Sequence, residues 1–386
     1  MLRFFAFILA VLAVFGIGAA GLLMIPSAPP TPQTNPADST STLQLAAAAS
    51  PRSTSTPSVV ATTTSTTAAK AKMPTTDKKT IPAASSSPEK AVRIEAPYDF
   101  PKLSIESINQ SARDALVNIL CLSNGGGRVS PISGSGIMID PKGVILTNAH
   151  VAQYVLLSES PRLDLTCVVR SGSPARNRWV PDILYIPPIW VQDHARDINT
   201  TNATGTGEHD YALLRIASQS DGTPADGNFP AISFDVRDAI GFLGDEVLVA
   251  SYPAEFLGAT VTQLTLYPAS SLAMIKNLFT FTNKSIDVLS LGGVIEAQSG
   301  SSGGAVVNDW GKLIAMISTT SSGTTTADRD LHAITMSYIN SDIAEQSGLD
   351  LTSMISGNLI AESADFKSKI APSLIDLYID ELKNRQ

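Results

Sequence analysis

Residues 134–151 read GSGIMIDPKGVILTNAHV, two short apolar runs on either side of a Pro-Lys-Gly turn. Short, β-branched runs bounded by turn residues predict buried strands joined as a hairpin. The same texture recurs along the chain, at residues 117–122, 163–170, 211–217, 246–253, 259–268, 303–309, 312–319 and 331–339. No long helical pattern separates these runs. The sequence therefore predicts an all-β body, a barrel or sandwich, rather than a parallel α/β sheet.

Three segments depart from this rhythm of strands. Residues 104–116, SIESINQSARDAL, predict a short amphipathic helix with Ser104 as its N-cap. Residues 171–208 are rich in proline and polar residues and are typical of an insertion loop. Residues 370–383, IAPSLIDLYIDELK, carry apolar side chains at helical spacing, which predicts a C-terminal helix packed on the body.

The N-terminus has the composition of a membrane segment followed by a stalk. Residues 4–25 contain no charged residue. A run of about 20 apolar residues is long enough to span a bilayer, and it exceeds the roughly 7–15 apolar residues of a cleavable signal. A signal anchor at residues 1–26 is therefore preferred over a cleaved signal peptide. Ser, Thr, Pro and Ala fill 47 of the 69 positions from 27 to 95, which predicts a disordered stalk over residues 27–97. Arg3 places the remainder outside the cytoplasm by the positive-inside rule, tethered to the cell membrane, or secreted after cleavage.

The charge balance and composition exclude several classes of function. The chain has 27 Lys and Arg against 35 Asp and Glu, and residues 97–386 hold 19 of the basic and 31 of the acidic side chains. Such an acidic body argues against a nucleic-acid partner. With two cysteines and four histidines, the chain has too few ligands for a Cys-rich zinc module and few for a multi-His metal site. The sequence also has no phosphate-binding or dinucleotide-binding loop motif. We therefore expect neither a metal nor a cofactor.

The segment QSGSSGGA, residues 298–305, has the composition of a turn that projects a nucleophilic serine. Ser302 has a glycine two residues before it and two glycines after it, so it is preferred over Ser299 and Ser301. Glycines allow the tight backbone dihedrals and the close approach of a substrate. The backbone N–H groups of Gly300 and Ser302 are the expected donors to an oxyanion. A plain Ser/Gly loop is the alternative interpretation.

His150 and Asp210 supply the other two groups that serine catalysis needs. His150 comes at the end of the predicted hairpin, where its imidazole can reach a cleft and act as a general base. Asp210 directly precedes the apolar run 211–217, so its carboxylate lies at the edge of the core, where it can fix the imidazole tautomer. A structural histidine and a surface aspartate are the alternatives. His209 is the competing imidazole and is expected to point away from the acid.

The order His, Asp, Ser along the chain is that of the chymotrypsin-like double β-barrel, not that of subtilisins or α/β-hydrolases. Over residues 104–348 the chain resembles the trypsin/chymotrypsin-like serine proteases, and within them the Deg/HtrA-type branch. The similar stretches are SGSGIMIDPKGVILTNAHV, HDYALLRI, GDEVLVASYPAEFLG, SGSSGGAVVNDWGKLIAMIS and LHAITMSYI. The resemblance implies two six-stranded barrels with flanking helices, a cleft between the barrels, and endopeptidase activity. It also implies His150 as general base, Asp210 as orienting acid and Ser302 as nucleophile.

Together these inferences divide the chain into a signal anchor (1–26), a stalk (27–97), a protease domain (98–348) and a C-terminal helical extension (349–386). The predicted function is a membrane-tethered, extracytoplasmic serine endopeptidase that cleaves unfolded or flexible polypeptides in protein quality control. Deg/HtrA proteins commonly carry PDZ domains, and we expect none in the short extension. Ser301 stands where zymogen-activated trypsins have an aspartate, so we expect no activation by cleavage at the start of the domain.

The substrate preference is open between two chemistries. Glu296, six residues before Ser302, resembles the floor of the trypsin primary specificity pocket, where an acid selects Lys or Arg before the scissile bond. The apolar neighbourhood of Met316, Ile317 and Ser318 instead suits a small or aliphatic side chain.

Cys121 and Cys167 lie on two strands predicted for the first barrel. In an oxidising compartment they can form a disulfide. Buried free thiols are the equal alternative, because free cysteine is among the most buried residue types.

The main rival function is a catalytically silent module that uses the protease fold for binding or sensing. All three positions of the triad are filled, which favours the enzyme. A lipase or esterase would need a G-x-S-x-G turn in an α/β fold, and the sequence has neither. A metalloenzyme would need an H-E-x-x-H or a paired Cys/His motif, which is also missing.

Overall fold

The computed structural model describes residues 93–123, 128–200, 205–238, 240–281 and 285–384. The expected membrane segment, residues 1–26, and the expected stalk up to residue 92 lie outside the described residues. Within the described ranges, no helix is long and apolar enough to cross a membrane.

Six antiparallel strands close into a barrel in the order β1-β2-β3-β6-β5-β4. They are β1 (Leu116–Ser123), β2 (Ile132–Asp140), β3 (Val144–Thr147), β4 (Leu165–Ser171), β5 (Arg176–Tyr185) and β6 (Ala212–Gln219). The opening hairpin is β2 and β3, paired at Ile137 and Leu146, and β3 is buried along its whole length. Closure leaves the sheet without an open edge. The first of the two predicted barrels is confirmed.

The second sheet has seven strands, where the sequence predicted a six-stranded barrel. Its order is β8-β7-β11-β12-β13-β10-β9. The strands are β7 (Glu246–Ser251), β8 (Ala269–Met274), β9 (Asn277–Phe279), β10 (Val288–Ser290), β11 (Ala305–Asn308), β12 (Leu313–Thr320) and β13 (Leu331–Thr335). The prediction is wrong in strand number and closure. The chain bends at Ile275 and Lys276, so β8 pairs with β7 while β9 pairs with β10, and the sheet curls into a half-barrel.

Eight helices flank the two sheets in the described part of the chain. They are α1 (Ile105–Ala115), α2 (Ala149–Ser158), α3 (Pro188–His194), α4 (Ala259–Leu264), α5 (Met336–Ser347), α6 (Leu351–Ser356), α7 (Leu359–Lys369) and α8 (Ala371–Asn384). The helix predicted over 104–116 is confirmed as α1, and the Ser104 hydroxyl accepts a hydrogen bond from the Ser107 N–H as an N-cap does. The predicted C-terminal helix is α8.

Two interpretations of the sequence are wrong. Residues 259–268 contain the exposed helix α4 rather than a strand, and no strand among the described residues pairs with this segment. Residues 171–208 are not an insertion loop, since they contain β5, which pairs with β4 and β6. Pro181 is tolerated within β5 because the register with β6 shifts at this residue, so a bulge accommodates the missing N–H donor.

The C-terminal helices pack on the first barrel and share its hydrophobic core. Phe366 of α7 and Tyr378 of α8 are buried in the same cluster as the barrel strands. Asp182 of β5 accepts hydrogen bonds from Arg215 of β6 at 2.6 Å and from Lys367 of α7 at 2.8 Å. These contacts fix α7 against β5 and support the barrel wall that carries β6.

A disulfide joins the chain's two cysteines. Cys121 of β1 and Cys167 of β4 are opposite each other in register on adjacent strands of the first barrel. This finding decides between the two alternatives that the sequence left open. Both strands belong to the first barrel, as predicted.

Candidate active site

The His150 imidazole stands at the start of α2, directly after β3. The first N–H groups of a helix have no acceptor within it, and the His150 N–H donates to Asp210 Oδ1 at 3.0 Å. The sequence predicted that His150 lies at the end of a hairpin, whereas it lies in the first turn of helix α2. The side chain is 33% exposed, so an edge of the ring reaches solvent.

Asp210 is buried and is bonded from two sides. Its Oδ2 lies 2.8 Å from His150 Nδ1 and accepts from Ser318 Oγ at 2.9 Å. Its main-chain carbonyl accepts from Asn148 Nδ2 at 2.8 Å. Burial alone would raise the pKa of Asp210, but the charge of His150 and the hydrogen bonds from His150 and Ser318 outweigh burial and lower it. The carboxylate is therefore ionised at neutral pH.

The carboxylate in turn sets the state of the imidazole. Burial alone would lower the pKa of His150, yet the charge of Asp210 and its hydrogen bond raise it. With an acceptor at Nδ1, this nitrogen holds the proton and Nε2 is left free to accept one. His209 points away from Asp210, as the sequence predicted, and its Nδ1 lies 2.8 Å from Asp342 Oδ2.

The turn that carries Ser302 is held from its inner side by β2. Ser135 Oγ donates to the Gly300 carbonyl at 2.7 Å, and the Ser135 N–H donates to the Ser302 carbonyl at 2.8 Å. The Ser301 carbonyl accepts from the Gly304 N–H at 2.9 Å. Because the C=O and the N–H of a trans peptide point in opposite directions, these bonds fix the orientation of the N–H groups in the turn.

Two N–H groups of this turn are left without an acceptor. Among the described residues, neither the Gly300 N–H nor the Ser302 N–H has a hydrogen-bond partner, whereas the Ser301 N–H donates to Gln298 O at 3.2 Å and the Gly303 N–H to Ile317 O at 2.9 Å. Free donors flanking a serine are the arrangement that an oxyanion requires.

Ser318 connects the serine turn to the His–Asp pair. Ser302 Oγ donates to the Ser318 carbonyl at 3.4 Å, while the Ser318 hydroxyl donates to Asp210. Within the described ranges, no hydrogen bond joins Ser302 Oγ to the His150 ring. Such bonds are often long in free enzymes and shorten when substrate binds. The structure thus brings the three predicted residues into one site, with Ser318 between them.

Sequence reasoning missed Ser135 and Ser251. Ser135 belongs to the run GSGIMID, which predicted only a strand, and its contact with the serine turn lies 165 residues away in the chain. Ser251, the last residue of β7, donates to Ser301 Oγ at 2.9 Å, and both serines are buried. The close approach of β2 also explains why residue 303 is a glycine, because a Cβ at this position would overlap the Ser135 carbonyl oxygen.

Glu296 and Ser318, the two residues predicted to contact substrate, lie in different environments. Glu296 is fully buried, and its Oε2 accepts from Ser271 Oγ of β8 at 2.5 Å. Its Oε1 has no partner among the described residues, and burial raises the pKa of this carboxyl group. The Ser318 hydroxyl is occupied by Asp210. Met316 and Ile317 are buried in β12.

The chemistry available at this site is proton and acyl transfer. The site combines an imidazole with a free Nε2, a buried carboxylate, a serine hydroxyl and two unoccupied N–H donors. In the part of the chain that the structure describes, no group of three or more His, Cys, Asp and Glu side chains is arranged to hold a metal ion.

Comparisons with known proteins found a matching family model and similar solved structures. Residues 134–316, which include His150, Asp210 and Ser302, match the family model of the trypsin-like peptidase domain. Among solved structures, the chain is similar to the serine endoprotease from Yersinia pestis, with 22% identity and a TM-score of 0.40 over 64% of this chain and 67% of that chain. No curated protein matches the chain.

Proposed function

We propose that this chain is a serine endopeptidase of the Deg/HtrA type, with Ser302 as nucleophile, His150 as general base and Asp210 as the acid that orients the imidazole. The observation that carries the proposal is the bonding of Asp210, which binds both the backbone and the ring of His150. Ser318 then links this pair to the nucleophile. The trypsin-like peptidase domain over residues 134–316 supports the same class of reaction.

The reaction follows from the protonation states. His150 Nε2 accepts the proton of the Ser302 hydroxyl as Oγ attacks the scissile carbonyl, and the imidazolium is stabilised by the Asp210 carboxylate. The same nitrogen then gives its proton to the leaving amine, which leaves an acyl group on Ser302. A water molecule, deprotonated by His150, hydrolyses this ester and restores the free serine.

The N–H groups of Gly300 and Ser302 are proposed to stabilise the oxyanion. Both lack an acceptor in the described structure, and the peptide groups between and around them are held by Ser135, Gln298 and Ile317. Preorganised donors need no rearrangement when charge develops on the substrate oxygen. Losing one such donor costs about 10²–10³-fold in kcat in serine proteases.

The proposed substrates are unfolded or flexible polypeptides, and the residue preferred before the scissile bond is open between two classes. The burial of Glu296 and its raised pKa favour its neutral form, which supports a small or aliphatic residue near Met316 and Ile317. Ser318 would meet the substrate through its backbone. A peptide library varied at this position decides: a Lys/Arg preference that Glu296→Gln removes establishes the acidic pocket, and no basic preference eliminates it.

The second candidate function is the silent binding module. It is favoured by one observation, that the Ser302 hydroxyl bonds the Ser318 carbonyl at 3.4 Å and, among the described residues, not the His150 ring. The two functions are separated by incubating the protein with a reduced, carboxymethylated model protein and mapping cleavage sites by mass spectrometry. We expect cleavage by the wild type, none by Ser302→Ala, and unchanged cleavage by Ser373→Ala, a surface control on α8. Binding of the model protein without cleavage by folded wild type establishes the silent module instead.

We also propose that residues 1–26 tether the enzyme to the membrane, with the stalk and catalytic domain on the extracytoplasmic side. The uncharged run 4–25 and the Cys121–Cys167 disulfide support this location, since disulfides persist mainly outside the reducing cytosol. Full-length protein should stay with membranes through alkaline washing, and an externally added protease should cut its stalk. Release by the wash, or protection of the stalk in intact cells, rules out this arrangement.

A further inference from the structure

The outer side of the serine turn is held by the residues that follow β7. The Ser299 carbonyl accepts from the Ala254 N–H at 2.9 Å and from the Glu255 N–H at 3.1 Å, and the Ser299 N–H donates to Glu255 Oε2 at 3.0 Å. These bonds turn the Ser299 carbonyl outward, so the Gly300 N–H of the same peptide points to the opposite face. Gly300 has a φ of +93°, and a Cβ on it would lie 2.8 Å from the Ala254 nitrogen.

Glu255 is itself fixed by Arg329, in the loop between β12 and β13. The guanidinium donates through Nη1 at 2.6 Å and through Nη2 at 2.7 Å to the two carboxylate oxygens, a bidentate pair. Nη1 also donates to the Ala297 carbonyl at 2.9 Å, and Nε donates to the Gly323 carbonyl at 3.1 Å. The Arg329 side chain is only 11% exposed. One guanidinium therefore joins the loop after β7, the serine turn and the β12–β13 loop.

The interior of the turn is neutral. Ser301 is buried against Ser251, and the two hydroxyls bond each other. Among the described residues, Glu255 and Arg329 are the charged side chains that bond the backbone of residues 297–304. The Glu255 carboxylate bonds the Ser299 N–H, while the Ala254 and Glu255 N–H groups bond the Ser299 carbonyl, so the pair fixes the segment that holds the peptide between Ser299 and Gly300. Rotation of that peptide would withdraw one of the two oxyanion donors.

We infer that Glu255 and Arg329 are positioning residues, which hold the Gly300 N–H in place to receive the charge of the oxyanion. The inference rests on the proposed function. Because a lost oxyanion donor costs about 10²–10³-fold in kcat, a turn that holds the Gly300 N–H in place only about 1–10% of the time should lose roughly 10- to 100-fold. The loss should fall on kcat rather than KM, since the oxyanion exists in the transition state and not in the bound substrate.

The test combines Arg329→Gln, Glu255→Gln and Arg329→Lys with a peptide boronic acid, whose tetrahedral adduct places a charged oxygen among these donors. We expect kcat on a fluorogenic peptide and boronate affinity to fall together by about 10- to 100-fold in both Gln variants. Arg329→Lys keeps the charge but loses the bidentate geometry, so its loss should be smaller. Binding of the uncleaved peptide, measured in a Ser302→Ala background, should change less than threefold.

Arg237→Gln is the matched control, because Arg237 also bonds both oxygens of a carboxylate, that of Asp235. Its kcat should equal that of the wild type. Thermal unfolding is measured for each variant to check that it is folded. If Arg329→Gln does not fold, the result with Glu255→Gln tests the inference. The inference is overturned if the Gln variants keep kcat within twofold, or if peptide binding weakens as much as kcat. A wild type that neither cleaves peptide nor binds boronate overturns the proposed function itself.

Discussion

Replacing Asp210 by asparagine probes how the carboxylate controls the imidazole. Two orientations of the new amide are available. If its oxygen takes the place of Oδ1 and accepts from the His150 N–H, its NH₂ group faces His150 Nδ1 and forces the ring proton onto Nε2. A ring with that proton cannot accept one from Ser302. If the amide is flipped, the reactive tautomer returns, but the NH₂ group then opposes the His150 backbone N–H.

The size of the effect follows from these contacts. A buried donor left unpaired costs about 1–3 kcal/mol, so the flipped amide lowers the population of the reactive tautomer by roughly 5- to 160-fold. The carboxylate charge that stabilises the imidazolium is lost as well. Asn in place of the triad Asp costs on the order of 10⁴-fold in kcat in such enzymes, so the lost charge supplies the remaining decades. We therefore expect Asp210→Asn to lower kcat by about 10³–10⁴-fold.

The assay is steady-state hydrolysis of a fluorogenic peptide, with thermal unfolding as a check on folding. Asp235→Asn is the matched control, because Asp235 is another buried carboxylate, bonded to Tyr98 and Arg237. This control is expected to lose stability and keep kcat. A folded Asp210→Asn protein that retains more than a tenth of wild-type kcat would mean that Asp210 does not orient the base.

Three further outcomes are expected. Because the pKa of His150 is raised, kcat/KM should increase with pH, and the midpoint of this increase should lie above about 6.5. The contribution of the charged ring to the stability of the fold is complete below about pH 6.5 and is lost as pH rises through the raised pKa. A kinetic midpoint below 6.5 would count against the pairing of His150 with Asp210. Gly303→Ala should abolish most activity, roughly 10²-fold or more, while Gly222→Ala, with a similar φ of +85° but open space around it, should keep it; equal rates would disprove the close approach to β2. Replacing Cys121 and Cys167 by serine should lower the free energy of unfolding by up to about 4 kcal/mol for a loop of 46 residues, as measured by urea denaturation, and an unchanged value would exclude the disulfide.

Local patterns in the sequence predicted five of the six strands of the first barrel, all but β5, and the approach to the site. The β2–β3 hairpin and the run that becomes β6 have apolar residues whose burial depends on their immediate neighbours. His150 and Asp210 lie at the ends of these runs, so their placement beside the core followed from the same patterns. The exception is the helix start at His150, where a strand was expected.

The remaining features depend on contacts between distant parts of the chain. Residues 259–268 have the β-branched composition of a strand, but in the described structure none of them pairs with a strand, and six of them form the exposed helix α4 instead. The interpretation of Pro181 as a loop residue failed because a bulge in β5 accommodates it. The support of the serine turn by Ser135 and by the Glu255–Arg329 pair spans 165 and 74 residues, which no local pattern reports.

Mass spectrometric mapping of a fluorophosphonate adduct tests whether the serine turn is built for catalysis. The folded wild-type protein should acquire one adduct, on Ser302, at a rate that rises with deprotonation of His150. The adduct should be absent from Ser302→Ala. Failure of the folded wild-type protein to react, or an adduct on Ser299 or Ser301 instead, would mean that the assignment of Ser302 as the nucleophile is wrong.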